Sequence, residues 1–405
     1  MKNQLLLARQ PILDRSLRLR GYELLARNAQ GHFPSNQPGH VTTSRVLIEA
    51  LSDFGLENVV GRLPAFVNLT REFITGGIPL PLPPDRVVLE ILESVEPDAE
   101  VLNGLRRLRA QGFQFAVDDY TGPRAGYEEM LRLVDIVKVD CLGRSAEELR
   151  AIKSGLAPFR KRLLAEKIEH PRAFHEAEHL GFELFQGFFF ARPDTLRSRA
   201  QHVDRSSLLR LMSRLQDPDT TPEDLEQVIA GDPVLSLKLV RFLNSAQIGL
   251  RRHIDSLREV VVYLGSDTVR NFACLMMVAG VDDKPRELLV TTMMRAKMCE
   301  ELARQTHTAQ AQRSFTVGLF STLDALLDRD LREVLNSLPL HAEIRNALLD
   351  HSGELGRQLE LVLAYEQGEF DKLPRERPTP TEMRKAFLDA VRWVARMEEE
   401  LATAG

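Results

Sequence analysis

The chain has 405 residues, enough for two domains of ordinary size, and its plentiful charges are of mixed sign with a formal net charge of −5. That balance argues against nucleic acid as a partner, because general binding to it depends on Lys and Arg neutralising phosphates. No apolar run approaches the roughly 20 residues needed to span a bilayer, and Cys141, Cys274 and Cys299 stand in no paired spacing. The expectation is therefore a cytoplasmic protein with no membrane partner, no disulfide framework and no zinc site.

Strand-like and helix-like segments alternate from the start of the chain to about Pro193. The strand candidates, in order, are LLLARQPIL, YELLAR, AFVNLT, VVLEIL, FQFAVDDY, DIVKVD, LLAEKI and LFQGFFF. SRVLIEALSDF, AEVLNGLRRLRAQG and FHEAEHLG carry apolar residues at helical spacing, and the last two close on a glycine. The first two strands are separated only by DRSLRLR, too short for a parallel crossover, so they are expected to be antiparallel. The remainder suits right-handed βα units. The predicted fold is an α/β TIM-like barrel over residues 1–197, compact and with thin helical cover.

Beyond Arg197 the pattern becomes all-helical. Thr221 reads as an N-cap with Pro222 at the first helical position, and Asp232 with Pro233 repeats the device. SLREVVVYLG and SDTVRNFACLMMVAG each end on glycine, and a long amphipathic stretch, EMRKAFLDAVRWVARMEEEL, closes the chain. Met276, Met277, Met293 and Met294 suit an adaptable core or a docking surface, core being the plainer reading. An all-α domain is predicted over 198–405.

Polar groups sit where the apolar runs of the first half stop: Glu23, Asn68, Glu90, the pair Asp118 and Asp119, Asp140 and Glu166, with Lys138 two residues before Asp140. One such charge, buried without a partner, costs several kcal/mol or protonates. A barrel of parallel strands solves the problem, because its C-terminal rim gathers polar groups from many strands into one pocket. An oxygen-rich pocket of that kind suits Mg²⁺ or Mn²⁺.

Taken in order, RQPILDRSLRLRGYELLAR, VNLT, LEILES, the Asp-Asp pair, VKVD, AEKIE and FQGFFFARP make the first half resemble the EAL domain, a TIM-like barrel that hydrolyses cyclic di-GMP to the linear dinucleotide. The resemblance implies metal ligation by Glu23, Asn68, Glu90, Asp118 and Asp119, with Asp140 nearby, around two divalent ions. It implies Glu166 as general base and Lys138 on a phosphate or the attacking water. Glu169 would brace the loop after the Asp pair, Gln186 would help position the water or ligand, and Gln10 and Arg27 would contact the nucleotide. A homodimer is open on the same grounds.

The chain departs from the active pattern in its loops. YTGPRAGYEEM follows the Asp pair where the family carries a Phe-Gly-Thr-Gly stretch, Lys167 replaces a glycine, and Cys141 replaces an arginine. The alternative expectation is therefore a catalytically silent EAL protein that senses cyclic di-GMP or acts as a scaffold. In the second half, LQDPDTTPEDLEQVIAGDPVLSLKLVRFLNSAQIGL and VVVYLGSDTVRNFACLMM resemble the HDOD domain, a relative of metal-dependent HD phosphohydrolases that lacks their ligands. Ser321 and Thr322 stand where such an enzyme would carry His and Asp. A non-catalytic module that binds a protein partner is the expectation there.

Overall fold

A computed structural model of the chain describes residues 5–28, 55–77, 80–124, 126–192, 284–306, 310–336, 340–374 and 377–404, with Thr221, Asp224 and Leu225. The helix expected over SRVLIEALSDF lies outside the described residues, as do the other segments expected between 206 and 280, with Cys274, Met276 and Met277.

Eight strands close into one barrel in chain order: β1 Leu5–Asp14, β2 Leu19–Asn28, β3 Ala65–Leu69, β4 Val87–Ile91, β5 Gln114–Val117, β6 Ile136–Asp140, β7 Arg162–Glu166 and β8 Leu184–Gln186. β1 runs antiparallel to both of its neighbours, β2 and β8, and every other pair is parallel. The short DRSLRLR connection required that reversal. Outer helices are α1 Leu56–Val60, α2 Arg71–Thr75, α3 Ala99–Ala110, α4 Tyr127–Leu133, α5 Ala146–Leu156 and α6 Pro171–Leu180, the first two only five residues each. Local chemistry sets their ends. Asp98 accepts the Val101 amide to cap α3, and Ser145 with Glu148 forms a capping box on α5. Gly181, at φ +90, ends α6.

Strand alternation places one side chain in two inside the barrel. Ile12, Phe66, Val88, Ala116, Ile136, Leu164 and Leu184 form a buried apolar layer there. β2 contributes Gly21 to this layer. A Cβ at that position would lie 2.8 Å from the Pro64 carbonyl oxygen and 3.0 Å from the Phe66 ring, so the phenyl group takes the space a side chain would need.

β8 is shorter than LFQGFFF suggests. Gly187 adopts φ +139 with its Cα against Ile168, where a Cβ would stand 2.1 Å from the Ile168 carbonyl oxygen, and the chain then turns through a 3₁₀ segment at Phe189–Ala191. β8 pairs with β1 only over Ile12–Asp14. Above that level the Tyr365 hydroxyl donates to the Leu7 carbonyl at 2.7 Å and accepts from the Leu7 amide at 3.3 Å. Tyr365 is fully buried and meets Phe370 edge-to-face at 5.4 Å. It belongs to Leu363–Lys385, which joins Met1–Arg192 and Pro285–Glu287 in one compact unit.

The second unit comprises Pro193–Lys284, Leu288–Val362 and Ala386–Gly405. The helices of the C-terminal region are α7 Arg286–Thr306, α8 Ala311–Phe320, α9 Leu323–Leu327, α10 Leu331–Asn336, α11 Ala342–Asp350, α12 Gly353–Glu366 and α13 Pro380–Ala404. Phe315 and Trp393 meet edge-to-face at 6.0 Å, and the buried Ser314 hydroxyl donates to Gln358 at 2.7 Å. Thr221 caps as expected, its hydroxyl accepting the Asp224 amide at 3.3 Å. Met293 is buried, as a core residue would be. No described helix is long and apolar enough to cross a membrane.

Candidate metal and nucleotide site

Two residues nearer the rim than the apolar layer, the same alternation turns polar on every strand. The positions are Gln10, Glu23, Asn68, Glu90, Asp118, Lys138, Glu166 and Gln186, from β1 to β8 in order, Asp118 coming directly after the end of β5. A floor of apolar side chains thus carries a ring of polar ones.

Lys138 is the hub of that ring. Its Nζ lies 3.1 Å from Glu23 Oε2, 2.8 Å from Glu90 Oε1, 2.9 Å from Asp118 Oδ1 and 2.8 Å from Glu166 Oε1, and its side chain is 1% exposed. Gln186 Nε2 donates to Glu23 Oε2 at 2.6 Å and to Gln10 Oε1 at 2.9 Å. Gln10 Nε2 in turn donates to the Gln367 carbonyl at 3.2 Å.

Electrostatically the ring is unfinished. An ammonium has three protons to donate, and four carboxylates surround this one. Fully ionised, the cluster would bury a net negative charge, which is expensive. Its titration reflects that. Burial, then the Glu23 charge, pushes Glu90 well above the ordinary carboxylate range against the opposing pull of Lys138. Burial raises Glu166 to about 8, with Lys138 opposing and Asp118 and Glu23 adding to the rise. Burial works against the charge on Lys138, but Glu166, Glu23, Glu90 and Asp118 outweigh it and hold the ammonium well above its usual value.

The donor set fits a hard divalent cation. Asn68 Oδ1, Glu90 Oε2 and Glu166 Oε2 are buried acceptors without a hydrogen-bond donor. Unsatisfied buried oxygens of this type are what Mg²⁺ or Mn²⁺ takes. Among the described residues, no group of three His, Cys, Asp or Glu side chains is arranged to hold an ion, and the Lys138 ammonium is what the ring carboxylates face.

The other expected site residues fall elsewhere. Asp119 follows β5 at φ +46 and Asp140 ends β6, and both face Lys167, at 3.8 Å and 2.6 Å. Burial and the Asp118 charge raise Asp119 against the pull of Lys167. Lys167 itself is held above its usual value, because its bond to Asp140 and the charge of Asp119 outweigh burial. Glu169 is exposed, and no hydrogen bond or ion pair joins it to the ring among the described residues. Arg27 lies in β2 opposite Leu6, and its side chain lies outside the described set. Cys141 is inert as a nucleophile, since burial and the Asp140 charge push its thiol to about 12.

Lys167 could be read from the sequence as an ammonium beside Glu166 in a glycine position, able to stand in for a metal charge or pair with that acid, but its bridging of Asp119 and Asp140 needed coordinates. Gln367 reaches Gln10 across a separation of 357 residues and carries no local signal. In the helical region, Thr322 is buried and shares a hydrogen bond with Thr292 at 2.7 Å, while Ser321 donates to the Gly318 carbonyl at 2.7 Å. Both hydroxyls serve structure there.

Comparison with known proteins matches residues 1–193 to the EAL domain and residues 204–332 to the HDOD domain. The chain is 33% identical over 368 residues to the cyclic di-GMP phosphodiesterase CdgJ of Vibrio cholerae, spanning 90% of this chain and 85% of that protein. It is 28% identical over 396 residues to the uncharacterized protein YuxH of Bacillus subtilis, spanning 95% and 97%. A solved standalone EAL protein from Vibrio cholerae in its c-di-GMP-bound form is 22% identical, with 47% of this chain and 93% of that chain covered at a TM-score of 0.36.

Proposed function

This chain belongs to the EAL family, with an HDOD domain following it in the sequence, and from that membership we propose that it is a divalent-metal-dependent cyclic di-GMP phosphodiesterase releasing the linear dinucleotide. The observation that carries the reading is the ring of four carboxylates around a single ammonium, Glu23, Glu90 and Glu166 buried and Asp118 partly exposed, with unsatisfied oxygens on Asn68, Glu90 and Glu166. Such a ring is completed by added positive charge.

Glu23, Asn68, Glu90 and Asp118 would hold Mg²⁺ or Mn²⁺ at the ring, and Asp119 with Asp140 would hold a second ion. Bound there, the metal supplies charge neutralisation at the phosphoryl oxygens and lowers the pKa of a water. Glu166, buried at the ring, takes the proton of the attacking water. Lys138 holds a phosphoryl oxygen or that water. Gln186 and Gln10, linked at 2.9 Å, orient the nucleotide, with Arg27 on its phosphate. Glu169 braces the loop after the Asp pair. The barrel domain spans 1–197, and the helical domain over 198–405 receives a protein partner. The setting is cytoplasmic signalling.

A second reading is a silent cyclic di-GMP binder, favoured by the engagement of all four ring carboxylates with Lys138. The purified chain incubated with cyclic di-GMP and Mn²⁺ separates the two. Linear product that disappears in Glu23→Gln and Glu166→Gln supports hydrolysis. Affinity for the nucleotide without product supports the binder, and absence of both overturns each.

A further inference from the structure

Two expected site acids stand apart from the Lys138 ring and share a cation of their own. Lys167 Nζ lies 2.6 Å from Asp140 Oδ2 and 3.8 Å from Asp119 Oδ1. The other Asp140 oxygen, Oδ1, already accepts the Leu142 amide at 2.8 Å. What Asp140 can still offer a metal is therefore Oδ2, the oxygen that the ammonium covers.

The backbone marks this lysine as unusual. Lys167 sits at φ +55, a left-handed conformation that glycine adopts freely and long side chains seldom do. Its side chain is 50% exposed, so apolar burial does not account for it. Solvent was available to the ammonium, yet it points at the Asp pair. Asp118, Glu93 and Glu166 add negative charge on the same side, and Arg144, whose Nε binds the Asp140 carbonyl at 2.7 Å, adds one positive charge.

Resting on the metal-dependent reading above, we infer that the Lys167 ammonium occupies the place of a second divalent cation. The chain binds one divalent ion at the Lys138 ring and takes a second at Asp119 and Asp140 only by displacing Lys167. A half-exposed pair of this kind is displaced readily, so the penalty is a weakened second site: up to about fivefold in affinity.

Mn²⁺ titration of the full chain tests this, by calorimetry for affinities and by electron paramagnetic resonance for the coupled signature of two neighbouring Mn²⁺ ions. Lys167→Met should tighten the second site by up to about fivefold, bring out the coupled spectrum at lower Mn²⁺, and leave the first site unchanged. Lys167→Arg, which keeps the charge, should behave like wild type. Equal second-site affinity in wild type and Lys167→Met overturns the inference while leaving the metal reading intact. A gain in Lys167→Gly without one in Lys167→Met also overturns it, because relief of the backbone would then be the cause. No Mn²⁺ bound by wild type or variant would remove the metal reading itself, and this inference with it.

Discussion

Lys138 and Lys167 both hold site carboxylates, but in opposite surroundings. Lys138 is 1% exposed, with four acids within 3.1 Å, whereas Lys167 is 50% exposed between two. In water an ion pair is a small perturbation. In a barrel interior, removing one partner strands charge that has no other compensation. Burial, more than distance, decides which lysine is a fixed part of the fold and which can yield to a metal.

The largest expected effect comes from Lys138→Met. It leaves the four ring acids without their shared cation and should destabilise the metal-free barrel by about 3–5 kcal/mol in urea unfolding, with part recovered on adding Mn²⁺. Loss below about 1 kcal/mol would break the comparison.

The pH dependence comes next. Glu166 is raised from 4.5 to about 8, so between those values the folded state binds more protons than the unfolded one. Stability therefore falls as pH rises through that window and levels off above it. Glu90 shifts in the same direction. Melting of the metal-free chain should drop by roughly 5 °C from pH 5 to pH 8, and Glu166→Gln should flatten the slope. A rising melting temperature over that interval would contradict the buried-charge account.

Tyr365→Phe gives a buried but uncharged reference. Loss of the two hydrogen bonds to Leu7 should cost about 1–2 kcal/mol in the same unfolding assay. The smallest effect belongs to Lys167→Met, expected within about 1 kcal/mol of wild type. A cost matching that of Lys138→Met would erase the distinction between the two lysines.

Much of the barrel was legible because apolar runs stop at polar residues and because DRSLRLR is too short for a crossover. Glu23, Asn68, Glu90, Asp118 and Glu166 could be picked out for the same reason, since each stands where an apolar run stops, with Lys138 close by on its own run; Gln10 and Gln186 came only from the family resemblance. Their point of convergence could not be read. A sequence places Lys138 on β6 but does not say that its ammonium fills the centre the acids share. Asp119 and Asp140 looked equivalent to the ring acids and are not, since Asp119 lies beyond the end of β5 in a left-handed turn and Asp140 ends β6 one step nearer the rim. The shortening of β8 depended on the close approach of Gly187 to Ile168, which no propensity records. Tyr365 closes the edge of β1 from 358 residues away, a contact only tertiary folding supplies.

On the proposed reading, this acid ring, once charge-balanced by a metal, cleaves a cyclic dinucleotide. Chromatography of cyclic di-GMP after incubation with the full chain and Mn²⁺ measures it directly. The account predicts the linear dinucleotide from wild type and none from Glu90→Gln. Intact nucleotide from wild type at saturating Mn²⁺, with the protein folded, would contradict it.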